Sequence, residues 1–143
     1  MTANTNFESR TGKLACSSAE LFSFITDIRN FEQFIPDGSI KGWRATVDEC
    51  SFQIPPLGNA NIRISEKKPH SFVGYSGDAL QNNTFELAVY ITENESNLAD
   101  VKLALSAELN PFLKMMAVEP IRKFLEALVS EMEKFKDWNT KST

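Results

Sequence analysis

The sequence predicts an α+β fold in which an antiparallel sheet holds one long C-terminal helix. Three observations predict it. From Ile121 onward, Phe124, Leu125, Leu128, Val129, Met132 and Phe135 recur at three-and-four spacing, which collects them on one stripe of a helix. Such a stripe needs an apolar surface to lie on. The segment before it supplies one: Phe85, Leu87, Val89 and Ile91 alternate with Glu86, Ala88, Tyr90 and Thr92, the period of a half-buried strand. Between Ile35 and Asn110, about seventy residues are nearly free of helical patterning and are divided by turn signals, as in a meander of short strands.

In order, Phe7 to Ala15 reads as a polar first strand ending at Cys16 and Ser17. Ser17 and Glu20 form the S-x-x-E capping box, and Leu21, Phe22, Phe24, Ile25 and Ile28 give the helix that follows an apolar face. A second short helix is expected over Phe31 to Ile35, stopped by Pro36 and the Asp37-Gly38 turn. Six strands then follow. Trp43, Ala45 and Val47 define one face of the first; Cys50, Phe52 and Ile54 the second; Ile62 and Ile64 the third; and Phe72 to Gly77 the fourth. Breaks fall at Pro55-Pro56, Gly58-Asn59, Lys68-Pro69-His70 and Gln81-Asn82-Asn83. The fifth is the alternating strand through Phe85, and the sixth runs from Val101 to Leu109 after the polar turn Asn94 to Asn97. Asn110-Pro111 opens the last helix. Pro120 should kink it near Met116 or separate a lead-in turn from the helix proper. The tail from Asp137 to Thr143 is expected to fray. With no repeat, linker or low-complexity tract, residues 1–143 read as a single domain, a common size for one core.

Composition narrows the function classes. A chain with 42% hydrophobic and 24% charged residues is globular in type. A formal charge of −4, with Lys67-Lys68 as a local basic pair but no larger cluster, argues against a nucleic-acid partner, because phosphate binding needs clustered cations. No stretch approaches the ~20 apolar residues of a membrane span. The N-terminal residues lack a signal-peptide pattern, so the cytoplasm is the expected location. Cys16 and Cys50 match no zinc spacing and read as small buried apolar residues. No metal and no cofactor is expected. His70, the single histidine, lies in a polar turn where a solvated role is the simpler reading. No nucleophile elbow, phosphate loop or dinucleotide fingerprint is present.

The run Ser18-Ala19-Glu20-Leu21-Phe22-Ser23-Phe24-Ile25-Thr26-Asp27, followed by Asn30-Phe31, Phe34 and Pro36, resembles the opening segment of the START and Bet v 1-like superfamily, also called the SRPBCC or polyketide cyclase and lipid-transport group. The C-terminal helical pattern is similar too, so the resemblance spans nearly the whole chain. It implies a helix-grip fold: a seven-stranded antiparallel sheet wrapped around the C-terminal helix, two short helices after strand 1, and a cavity between sheet and helix. It also implies a small hydrophobic partner such as a lipid, quinone or aromatic polyketide. The alternatives it leaves are a polyketide cyclase or dehydratase, which would need an acid or base facing the cavity, and a protein-interaction module with a filled core.

Eleven of the fifteen aromatic residues are Phe, so the interior offers bulk with few polar handles. Any one of them can be ordinary core; the set suits a greasy ligand. The expected walls are Phe24, Phe34, Trp43, Phe52, Ile64, Phe85, Leu87, Leu103, Leu105, Phe112, Met116 and Phe124, with Tyr75 or Tyr90 as the polar anchor. Arg44, Arg63 and Glu86 sit on strands where alternation usually turns such residues outward, onto a charged outer surface, while an inward Arg or Tyr would orient a ligand's carboxylate or carbonyl; the sequence alone leaves the face of Arg44, Arg63, Tyr75 and Tyr90 open.

Overall fold

The structure, a computed structural model, describes residues 4–35, 38, 40–54, 58–79, 83–109, 111–135 and 138. Its elements are β1 (Asn4–Glu8), β2 (Gly12–Lys13), α1 (Ser18–Ile25), a 3₁₀ helix (Ile28–Phe34), β3 (Lys41–Ala45), β4 (Glu49–Ile54), β5 (Gly58–Lys68), β6 (Phe72–Ala79), β7 (Asn83–Glu93), β8 (Ala99–Glu108) and α2 (Pro111–Lys134). All strands pair antiparallel in the order β1-β8-β7-β6-β5-β4-β3, with β2 also on β8. The sheet wraps the long C-terminal helix, the helix-grip arrangement that the sequence predicts.

The expected first strand is two segments. β1 and β2 both lie along β8, and between them Ser9 bridges the break: its N–H donates to the Leu103 carbonyl at 2.9 Å, while its hydroxyl accepts from the Leu103 N–H at 2.9 Å. Counted as one interrupted strand, the sheet has seven rows; counted by segment, eight. Arg10 then reaches α2, with its guanidinium 2.7 Å from Glu133 and 3.3 Å from Glu126. The N–H of Lys13 donates to Glu133 at 3.0 Å. The close approach explains Gly12: a Cβ there would come within 2.6 Å of Val129 Cγ1.

The predicted capping box is present. Ser17 Oγ accepts from the Glu20 N–H, and the Glu20 carboxylate accepts from the Ser17 N–H at 2.9 Å. The second short helix begins earlier than its apolar pattern suggests, at Ile28, because Asp27 caps it by accepting from the Arg29 N–H. Pro36 and Asp37, Pro55 and Pro56, and Gln81 and Asn82, which carry three of the predicted turns, lie outside the described residues. The Val47 position is a turn rather than strand, since Thr46 N–H bonds back to the Glu49 carbonyl at 2.8 Å. β5 begins at Gly58, the predicted break, and His70 closes the β5–β6 turn with φ 64°.

α2 runs through Pro120 as one helix of 24 residues, not as a lead-in and a separate helix. The missing proline N–H falls opposite the exposed Met116 turn, where water can take the freed carbonyl. Its stripe buries Leu125, Leu128, Val129 and Met132, as the periodicity requires. Trp138 overturns the expectation of a frayed tail at its own position: it is 3% exposed, and its ring stands 5.2 Å from Phe24, 5.5 Å from Phe34 and 5.0 Å from Phe135. A large aromatic surface of this kind holds Trp138 in place.

Candidate functional site

Side chains on the inner face of the sheet form rows across the strands, and the rows differ in how completely they are covered. Val73, Val89 and Leu103 stand side by side and are fully buried, as is Val101 in the next row. The row containing Ile64, Tyr75, Leu87 and Leu105 is mixed: Tyr75 is buried, whereas Ile64 and Leu105 stay partly accessible. The row of Cys50, Ile62, Gly77, Phe85 and Ala107 is looser again, with Ile62 and Phe85 both partly accessible although they point inward. Trp43 stacks on Phe52 at 5.9 Å near this open end and also keeps part of its surface.

The helix explains the gradient. α2 folds back along β8 just after Glu108, and among the described residues its closest backbone approaches are to β1, β2, β8 and the 3₁₀ helix. Its second half is sealed by aromatic packing: Phe24, Phe34, Phe135 and Trp138 meet at ring distances of 5.0–5.7 Å. Along its first half and middle, Val118, Ile121 and Phe124 face the fold but are only partly buried. Apolar side chains thus remain accessible on the helix and on the inner face of the sheet, in the part of the fold the helix does not close.

The predicted wall residues divide accordingly. Trp43, Ile64, Phe85, Leu105 and Phe124 are partly accessible, Phe52 and Leu87 are buried beside them, Phe24 and Phe34 are tied into the aromatic cluster, and Leu103 is fully buried. Phe112 (70% exposed) and Met116 (45%) project from the first turns of α2 to the surface. Tyr90 does not face the interior: it is 48% exposed on the outer face, 5.3 Å from Phe72, because the alternation that turns Val89 and Ile91 inward turns it out. Tyr75 is interior but not free as a polar anchor, since its hydroxyl donates to the Ile25 carbonyl at 2.7 Å. Ile62, Val118 and Ile121 were not among the predicted walls. The signal for Ile62 was its two-residue spacing from Ile64; for Ile121 it was membership of the helical stripe.

The polar chemistry in this region is sparse. Burial pushes the Cys50 thiol, like that of Cys16, up to about 12, and holds the Tyr75 phenol well above its usual value. Both therefore stay protonated near neutral pH. Among the described side chains of the loosely covered rows there is no carboxylate, imidazole or amine, and no group of three or more metal-ligating side chains occurs among the described residues. His70 lies outside, edge-on to Phe22 at 5.8 Å.

No protein-family model matches the sequence, and no curated protein matches it significantly. Solved structures do. Norcoclaurine synthase from Thalictrum flavum superposes with a TM-score of 0.71 at 8% identity, covering 93% of this chain and 86% of that one. The XoxI protein of Bacillus cereus gives 0.68 at 12% identity, over 97% and 99% of the two chains. The Mll3558 protein of Rhizobium loti gives 0.63 at 13% identity, over 92% and 99%. The chain has the Bet v 1-like fold.

Proposed function

We propose that the protein binds a small hydrophobic molecule, of the lipid, quinone or aromatic class, between the inner face of the sheet and the first half and middle of α2. The observation that carries this reading is the set of inward-pointing apolar side chains left partly accessible there: Trp43, Ile62, Phe85, Leu105, Ile121 and Phe124. Apolar surface inside a fold that is otherwise closely packed favours an apolar occupant, at roughly 25 cal/mol for each Å² the occupant removes from water. A carrier fits the wall better than a catalyst does. Norcoclaurine synthase is by name an enzyme on this fold. Here, however, the described wall offers no carboxylate, imidazole or amine for proton transfer, leaving shape and desolvation as its contribution.

The test is titration with the neutral probe N-phenyl-1-naphthylamine, read by energy transfer from Trp43, alongside native mass spectrometry of protein purified from its own host. Saturable 1:1 binding with transfer lost in Trp43→Phe supports the reading. Absence of binding, or transfer that survives Trp43→Phe and depends on Trp138, sinks it.

A further inference from the structure

The outer face of the same sheet carries a recess of about 400 Å³ across β3, β4, β5 and β6. Its lining includes Arg44, Glu49, Ser51, Asn61, Arg63 and Asp78, the outward-turned members of those strands. Cys50, Ile62 and Gly77 contribute beneath them, and because the first two turn their side chains inward, the floor there is backbone. The volume falls in the range of small-molecule sites. Unlike the interior's, its lining carries several charged and hydrogen-bonding side chains, set among Ala45, Cys50, Ile62 and Gly77.

Two arginines define what it can hold. Arg44 pairs with Ser51 and Arg63 with Glu49, so they flank β4 on either side, offset by two residues. Strands about 4.8 Å apart place the two backbones roughly 10 Å apart across the sheet, within the combined reach of two arginine side chains. Among the described residues neither guanidinium makes an ion pair, although Glu49 and Asp78 share the recess. Asp78 is instead engaged by the Asn61 amide, at 3.1 Å. Guanidinium groups match phosphate and carboxylate oxygens in fork geometry. The Glu49 and Asp78 carboxylates are acceptors that would oppose a bare anion while accepting from hydroxyl groups, and the Ser51 hydroxyl can donate to an anion or accept from a hydroxyl.

We propose that this recess is a binding site for a small hydroxylated anion, its phosphate or carboxylate held between Arg44 and Arg63 and its hydroxyls donating to Glu49, Asp78 and Ser51. The site is separate from the interior on the other face of the sheet, and does not depend on what the interior binds. The probes are glycerol 3-phosphate and glycerate, with glycerol and sulfate as controls at fixed ionic strength, followed by amide chemical shifts in ¹⁵N-labelled protein. Both arginines are exposed, so Arg44→Gln and Arg63→Gln leave the core untouched, and an unchanged spectrum elsewhere confirms it. The expected result is saturable shifts centred on the amides of Ser51, Asn61 and Gly77, weakened about 10-fold or more by either substitution, and stronger than with sulfate. The better of the two probes then identifies the anionic group. No shifts at these amides up to about 10 mM probe, shifts indifferent to both substitutions, or equal shifts with glycerol or sulfate would each overturn the proposal.

Discussion

The hydroxyl of Tyr75, in the middle of β6, donates to the carbonyl oxygen of Ile25 in the last turn of α1, 50 residues away in sequence and 2.7 Å away in space. This bond closes one of the few polar accounts in an otherwise apolar interior. It makes Tyr75 a structural anchor between sheet and helix.

Tyr75→Phe is therefore expected to lower stability by about 1–3 kcal/mol, measured by urea unfolding, because the Ile25 carbonyl loses its partner in a dry setting. The same change should alter an alkaline transition. Burial holds the Tyr75 pKa well above 10 in the folded chain, so the unfolded chain gives up the proton first. Stability from this group is complete below about pH 10 and declines as pH rises above it; in Tyr75→Phe that part of the decline disappears. An unchanged alkaline slope would show that the phenol ionises in the folded state.

The two thiols make an earlier alkaline window. Cys16 and Cys50 are both held at about 12 against an ordinary value of 9, chiefly by burial. Folded, each keeps its proton; unfolded, each loses it above pH 9. Stability should fall between pH 9 and 12 by at most about 1.4 kcal/mol per pH unit for each thiol. Cys50→Ala flattens the slope, whatever its effect at pH 7. Both thiols should also react with Ellman's reagent only as fast as the chain unfolds.

Gly12→Ala tests the seam between β2 and α2. The added methyl meets the stiff branched side chain of Val129 at 2.6 Å and Val101 at 3.3 Å, so the helix or the strand must shift. A loss of about 1–3 kcal/mol in chemical denaturation is expected. Val129→Ala in the same chain should recover part of it, which a mere propensity effect of alanine in a strand would not do.

How much of this was legible in the sequence depends on whether a feature is set locally. The Ser17–Glu20 capping box, the alternation in β7 and β8 and the stripe of α2 were all readable, because each is fixed by periods of two or 3.6 and by a short-range cap. Alternation usually turns residues such as Arg44, Arg63 and Glu86 outward without fixing the face of the two arginines, and in the fold all three are exposed. Three features were not readable. The bridge at Ser9 depends on Leu103, 94 residues away. The burial of Trp138 depends on Phe24 and Phe34, supplied by a distant helix pair. The burial of Tyr75 depends on its cross-strand partner Leu87 and on Ile25, 50 residues away, whereas the outward turn of Tyr90 was implied by the alternation in β7. The wall suffered in the same way: periodicity tells which residues point inward, not which inward-pointing residues the helix covers.

The contrast between Phe34 and Phe85 puts that last distinction to work. Phe34 is fully buried and packs edge-on against Phe31 and Phe135 at 6.1 and 5.4 Å, so Phe34→Ala leaves a cavity in a tight aromatic cluster and should cost about 3–5 kcal/mol. Phe85 lies over Gly77 in the loosely covered row and keeps part of its surface open, so Phe85→Ala removes fewer contacts and should cost less than that range. Binding should rank the other way. Phe85→Ala is expected to change the affinity for N-phenyl-1-naphthylamine about 5-fold or more, since a ring fully buried against a ligand contributes on the order of 1.5–3 kcal/mol. Phe34→Ala, assayed where it remains folded, should leave affinity nearly unchanged. If instead Phe85→Ala is as destabilising as Phe34→Ala and has no effect on the probe, the region around Phe85 is ordinary core and the ligand lies elsewhere.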